Sequence, residues 1–259
     1  MRAFIYTILT CIFILSAILT EAQKPKPADF YFNIKNFDLS KLWKSDSITI
    51  EGDGDKIPFP EPLGFIGEEF HRFYIHYTSV TKSKDTPYLY YITGKTRVKN
   101  NICNFTGEIL VQKAVTYKEP VIPEYKQYKS GSVTCLVTFY EDSTQSSSGI
   151  IKGKLTSDFY LDKKGRLHYD ALMFGSDGFS NNGSEATWTS YKTGKSKKCN
   201  WGDFRIPGSE KLDIGVGEFS VAGEYVRNGW ETYRKAWSGD PDAPETTKAK
   251  EAELRKWWQ

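Results

Sequence analysis

The chain has 259 residues, and its 35 lysine and arginine side chains are nearly balanced by 32 aspartate and glutamate side chains, which gives a formal net charge of +3. This balance argues against nucleic-acid binding, which needs basic residues gathered on one face and a higher isoelectric point. Hydrophobic residues make up 39% and aromatic residues 15% of the chain. It is therefore too apolar to be disordered and can bury a sizeable core.

Residues 1–22 have the layout of a secretory signal peptide. Arg2 is the only charge ahead of an apolar run over residues 3–19, and small residues stand at −3 and −1 of a cleavage site after Ala22. We expect cleavage there and export, either secreted or periplasmic. Retention as a membrane anchor is the alternative, because the apolar run is just short of the roughly 20 residues that span a bilayer. Export separates the protein from cytosolic ATP, NAD and reduced thiols.

The sequence after the signal predicts an extended tether and then a β domain. Residues 23–29 include Lys24-Pro25-Lys26-Pro27, which favours an extended conformation. The β domain is expected over residues 30–218. Alternating runs of β-branched and aromatic residues, separated by turn-forming residues, predict eight strands at 70–80, 88–98, 102–115, 132–140, 150–161, 166–174, 186–191 and 198–206. The predicted fold is all-β, a mainly antiparallel meander that forms a barrel or a sandwich, with the barrel favoured because it removes exposed edges.

The C-terminal region, residues 219–259, is predicted to be a helical extension packed on the β domain. A helix is indicated by apolar residues at intervals of four, three and four, namely Val226, Trp230, Tyr233 and Trp237. A second helix is expected to begin at a cap formed by Thr246 or Thr247. Each indole of Trp257 and Trp258 offers about 150–250 Å² of surface. We expect these two to dock on the protein's own barrel, with a partner or membrane-interface contact as the alternative.

A Gly-Lys-hydroxyl motif occurs twice, at residues 91–96 and 191–196, and each copy is followed by Cys-Asn-aromatic. The likeness predicts two equivalent hairpins and favours a disulfide between Cys103 and Cys199, which take corresponding positions. A bridge between Cys103 and Cys135, or no bridge, stays open because sequence does not fix connectivity. A phosphate-binding loop is excluded because each motif lacks the second glycine and the following helix.

The strand around residues 70–77 carries the candidate ligand-binding residues. Alternation places Arg72, Tyr74 and His76 on one face, where a cation, an imidazole and a ring could hold an amphipathic ligand. The alternative is an ordinary core face and a solvated face with hydrogen-bonded histidines. His71 lies on the opposite face from His76, which argues against a metal site made from both.

Enzymatic activity is left open, with a non-catalytic protein favoured. His168 could pair with His76 or Asp170, but no nucleophile motif accompanies it. A polysaccharide hydrolase would need two carboxylates about 5–10 Å apart, and the candidates are Glu68, Glu69, Asp158, Asp170, Asp177 and Asp203. We expect no cofactor. We expect no metal either, because residues 51–55 start like a calcium loop but Lys56 replaces its required glycine.

Residues 36–43, Asn-Phe-Asp-Leu-Ser-Lys-Leu-Trp, resemble the opening segment of lipocalins, with Lys41 at the family's glycine position. The resemblance implies a secreted carrier with an apolar cavity, in which Trp43 closes the barrel floor. It does not name the ligand.

Three functional hypotheses follow from the sequence. The first is a non-catalytic binding protein for a small amphipathic or carbohydrate-like ligand. The second is a polysaccharide hydrolase, and the third is an envelope structural or interaction protein that uses the terminal tryptophans.

Overall fold

The structure is a computed structural model that describes residues 27–120 and 122–259. The predicted signal peptide and the first part of the predicted tether lie outside the described residues. Strand β1 (Pro27–Asp29) is followed by two single-turn helices, α1 (Tyr31–Ile34) and α2 (Ser40–Trp43). The end of the predicted tether is therefore part of a sheet. Proline is tolerated at the first position of a strand, which is where Pro27 stands.

The remaining strands form one small and one large antiparallel sheet. The small sheet pairs β2 (Ser47–Thr49) with β3 (Lys56–Pro58). The other strands are β4 (Leu63–Ile66), β5 (His71–Lys82), β6 (Leu89–Val98), β7 (Asn101–Tyr117), β8 (Lys129–Glu141), β9 (Gly149–Leu161), β10 (Leu167–Tyr169), β11 (Asn181–Ser190) and β12 (Ser196–Asp203).

Eight strands of the large sheet close into a ring. The order β4-β5-β6-β7-β8-β9-β11-β12 returns to its start because β12 also pairs with β4. β1 and β10 extend the sheet at the ends of β7 and β9. The predicted fold class, a mainly antiparallel barrel followed by C-terminal helices, is confirmed.

One barrel strand was misplaced by the sequence prediction. The strand predicted at 166–174 is only the three-residue β10, and the eighth barrel strand is β4, which the alternation did not reveal. β4 is short and contains Gly64, where a Cβ would stand 2.9 Å from the carbonyl oxygen of Phe73. Glycine at this position allows the backbones of β4 and β5 to approach closely. Because it has no side chain, it also interrupts the alternation that would predict a strand.

Aromatic side chains occupy the interior of the barrel. Phe73, Tyr77 and Trp201 are buried there, and the Trp201 indole N–H donates to the Tyr77 hydroxyl at 3.0 Å. Phe105 and Phe139 stack at a centroid distance of 4.9 Å. Trp43, which the lipocalin resemblance assigns to the barrel floor, is also buried and donates to Ser157 at 2.8 Å.

The two Gly-Lys-hydroxyl motifs have different structural roles, so the prediction of equivalent hairpins was wrong. Residues 91–96 lie inside β6, and a Cβ on Gly94 would come within 2.3 Å of the His76 carbonyl oxygen. The second copy forms the turn between β11 and β12, with Gly194 at φ 66°. Glycine provides close strand packing in the first copy and a left-handed turn in the second.

The C-terminal region is helical, but in shorter pieces than predicted. A 3₁₀ turn (Gly223–Asn228) ends at Gly229, whose φ of 97° breaks the expected helix before α3 (Glu231–Ser238) begins. Helix α4 (Pro244–Glu253) starts with proline at its first turn and Ala243 as its cap, so neither predicted threonine caps it. No helix in the described part of the chain is long and apolar enough to cross a bilayer.

Candidate functional site

The three predicted ligand-binding residues lie together on the outer face of β5. Arg72 is only 5% exposed because the C-terminal helices cover it. Its guanidinium carbon lies 4.3 Å from the Trp230 ring centroid and 5.0 Å from that of Tyr233. The same guanidinium pairs with Glu253 of α4 at 3.0 Å. These contacts hold the chain's own helices on this part of the predicted binding face.

The terminal tryptophans cover the rest of that face. The ring of Trp257 meets Tyr74 edge-on at a centroid distance of 5.8 Å, and the Arg97 guanidinium lies 3.9 Å from the Tyr74 centroid. Trp258 stacks on His76 at 3.8 Å with an angle of 8° between the rings. Both tryptophans thus dock on the outer barrel wall.

A cleft of about 380 Å³ opens beside His76. Its walls come from residues 43–46, residues 58–62 and the end of the chain, with His76 and Tyr77 contributed by β5. The lining combines aromatic and proline side chains with groups of both charges, Lys44, Asp46, Glu61 and Lys256. Of the three predicted binding residues, His76 lines this cleft, whereas Arg72 and Tyr74 do not.

His76 and Glu61 form a polar pair in the wall of the cleft. The Nδ1 atom of His76 lies 2.9 Å from a carboxylate oxygen of Glu61, which remains about half exposed. This contact favours the tautomer of neutral His76 that carries its proton on Nδ1. Glu61 lies between two prolines in a segment without strand or helix periodicity, so no pattern in the sequence indicated it.

A second cleft, of about 310 Å³, brings together three of the six candidate carboxylates, Asp158, Asp170 and Asp177. The backbone N–H of Asp170 donates to the carbonyl of Asp158 at 3.1 Å, so the two residues are neighbours across β9 and β10. Burial raises the pKa of both carboxyls, and the pKa of Asp170 reaches about 6 with a further contribution from the charge of Asp158. Glu68, Glu69 and Asp203 lie outside this cleft.

The remaining candidates are His168 and the possible metal ligands in the described residues. His168 contacts Asp162 at 3.1 Å, which corrects the expected pairing with His76 or Asp170. No group of three or more histidine, cysteine, aspartate or glutamate side chains within the described ranges could hold a metal ion.

The three described cysteines are free and buried, so the predicted bridge between Cys103 and Cys199 is not formed. Cys103 lies on β7 and Cys199 on β12, which are four strands apart in either direction around the ring. Burial raises the pKa of the Cys103 thiol to about 11. The thiols thus behave as core groups and lack the low pKa of reactive cysteines.

No protein-family model, curated protein or solved structure matches this chain. The two clefts are therefore the candidate sites of function.

Proposed function

We propose that this protein is a non-catalytic binding protein for a small amphipathic or carbohydrate-like ligand, which binds in the cleft beside His76. The observation that carries this proposal is the stack of Trp258 on His76, next to the Glu61 carboxylate, in the wall of a cleft of about 380 Å³. That volume lies within the roughly 300–1,000 Å³ of small-molecule sites.

The chemistry of the lining supports a ligand with one apolar and one polar face. Phe59 and Trp258 supply rings against which an apolar ligand face can pack. Glu61 accepts hydrogen bonds and Lys256 donates them, so a ligand hydroxyl can find a partner whether it donates or accepts. Charges of both signs favour a neutral or zwitterionic ligand over a highly charged one.

Native mass spectrometry of the protein purified from its own host tests this proposal. We expect a retained small molecule that is lost in Trp258→Ala, because that variant removes one wall of the cleft. Trp237→Ala is the matched control, since Trp237 is about half exposed on α3 and does not line the cleft. The proposal is refuted if the wild-type protein carries no ligand and binds no member of a glycan and lipid panel, or if Trp258→Ala retains the ligand.

The second cleft favours a second candidate, a polysaccharide hydrolase. Asp158 and Asp170 are joined by a backbone hydrogen bond and both line this cleft, and two neighbouring carboxyls are what a glycosidase requires. Asp170, with its pKa raised to about 6, would be the acid, and Asp158 would be the nucleophile.

A reducing-end assay on a panel of polysaccharides at about pH 5–6 tests this candidate. Activity should disappear in Asp170→Asn and persist in Asp162→Asn, because Asp162 pairs with Arg166 outside the cleft. Release of no reducing ends from any polymer would exclude a hydrolase of these substrates.

A further inference from the structure

A strained backbone segment carries the buried polar residues Asn182 and Asp203 where β11 begins and β12 ends. The pairing of these strands shifts between Asn181 and Ser184, which marks a β-bulge. Asn182 and Phe204 both have left-handed backbone angles, with φ of 50° and 65°. Such angles are costly for residues other than glycine, and bulges of this kind often redirect side chains at functional sites.

Asp203 is buried at 1% exposure, and only one of its oxygens is satisfied. Its Oδ2 atom accepts hydrogen bonds from the Tyr169 hydroxyl at 3.0 Å and from the Asn182 amide at 2.7 Å. Its Oδ1 atom has no hydrogen-bond partner among the described residues. No ion pair to Asp203 is formed within the described ranges, and Glu61, which affects its titration, is also negative.

Two further buried oxygens on the same pair of strands are also without partners in the described part of the chain, Asn182 Oδ1 and Ser184 Oγ. The orientation of the Asn182 amide is fixed because its nitrogen donates both to Asp203 and to the Leu42 carbonyl at 2.7 Å. Ser184 is fully buried, and its β12 partner is Trp201, two residues from Asp203. Buried polar atoms are rarely left unpaired, since each costs about 1–3 kcal/mol.

The donor set and its charge identify the occupant that would satisfy these atoms. Carboxylate, amide and hydroxyl oxygens are hard ligands that suit cations of groups 1 and 2. A single buried carboxylate is neutralised by one positive charge, whereas a divalent ion would leave a net buried charge. We propose that Asp203, Asn182 and Ser184 form an internal binding site for a small monovalent cation, such as Na⁺ or K⁺.

This site is separate from the proposed ligand cleft but lies close to its wall. Burial raises the pKa of Tyr77, which lines the cleft, and the charge of Asp203 adds to that rise. Phe59, another lining residue, meets Tyr169 edge-on at 5.6 Å, and Tyr169 donates to Asp203. One layer of side chains thus separates the cleft from the proposed ion.

Thermal unfolding of the full chain in three salts tests the proposal. The salts are NaCl, KCl and tetramethylammonium chloride at equal ionic strength and about pH 8. We expect a higher melting temperature in Na⁺ or K⁺, with a saturable dependence on the ion concentration. Tetramethylammonium should have no such effect because it is too large to contact all three oxygens.

Variants assign any ion effect to this site. Asp203→Asn should abolish the difference between the salts, and Ser184→Ala should move the half-maximal effect to higher ion concentration. Glu141→Gln is the matched control, because Glu141 is a buried carboxylate whose oxygens already accept from Thr96, Trp188 and Gly149. Equal melting temperatures in all three salts would overturn the proposal, as would an ion effect that persists in Asp203→Asn. If Asp203→Asn does not fold, an unchanged ion dependence in Ser184→Ala would overturn it.

Discussion

The ion pair between Arg72 and Glu253 should hold the C-terminal helices on the barrel. Both side chains are less than a tenth exposed, so solvent screens their interaction weakly. Nε and Nη1 of Arg72 have no hydrogen-bond partners among the described residues, and its guanidinium packs against three aromatic rings. Removing either partner therefore leaves an uncompensated buried charge, which typically costs about 3–5 kcal/mol.

A double-mutant cycle measures this interaction. Arg72→Met and Glu253→Leu should each lower the free energy of unfolding by about 3 kcal/mol. The double variant should cost about as much as either single one, because it leaves no unpaired charge but loses the cation–π contacts. The coupling energy is then about 3 kcal/mol, at the upper end for residues in contact.

Urea denaturation followed by tryptophan fluorescence gives these free energies, since Trp230 lies directly against Arg72. Hydrogen exchange should also accelerate in α3 and α4 of each single variant more than in β7 and β8. Single variants that each cost less than about 1 kcal/mol, with effects that simply add, would show that Arg72 and Glu253 are not coupled in this way.

Three further predictions concern a buried carboxyl, a glycine in close backbone contact and the buried thiols. The stability that Asp170 contributes should be fully present below about pH 4 and be lost as pH rises through about 6, because burial raises the folded pKa of Asp170 above the unfolded value; a urea midpoint that is higher at pH 8 than at pH 5 would contradict this. Gly107→Ala should destabilise the barrel by about 2 kcal/mol or more, because its Cβ would stand 2.2 Å from the Thr138 carbonyl oxygen; Gly175→Ala, with nothing within 4 Å, is the control and should stay within about 0.5 kcal/mol. Iodoacetamide should leave Cys103, Cys135 and Cys199 unmodified in the native protein and alkylate all three in denaturant without a reductant; alkylation that requires a reductant would instead indicate a disulfide.

The sequence predicted the long strands well because their alternation is a local property. The predicted ranges for β5, β6 and β9 lie within two residues of the observed bounds. Short strands carry too few residues to alternate, so β4 and the small sheet were missed. Gly229 weakens the helix pattern in the sequence, and its left-handed conformation ends the 3₁₀ turn there.

The candidate site was only partly predictable, for a different physical reason. Alternation correctly placed Arg72, Tyr74 and His76 on one face, but it could not show what covers that face. Arg72 meets Glu253 across 181 residues of chain, and such contacts have no local sequence signal. Asp203 is a second example. The sequence offered it as a hydrolase carboxylate because of its residue type, and nothing local showed that it would be buried against Tyr169 and Asn182.

The docking of the C-terminal segment and the proposed ligand site are thermodynamically linked. Leu254, Lys256 and Trp258 form one wall of the cleft, so the wall exists only while the segment stays on the barrel. A ligand that contacts this wall binds the docked state preferentially. Docking then raises the affinity for the ligand, and the ligand stabilises docking by the same coupling free energy. If the proposed ligand binds there, substitution of Arg72 should weaken its binding without removing a ligand contact, because the pairing with Glu253 maintains the wall that Trp258 provides.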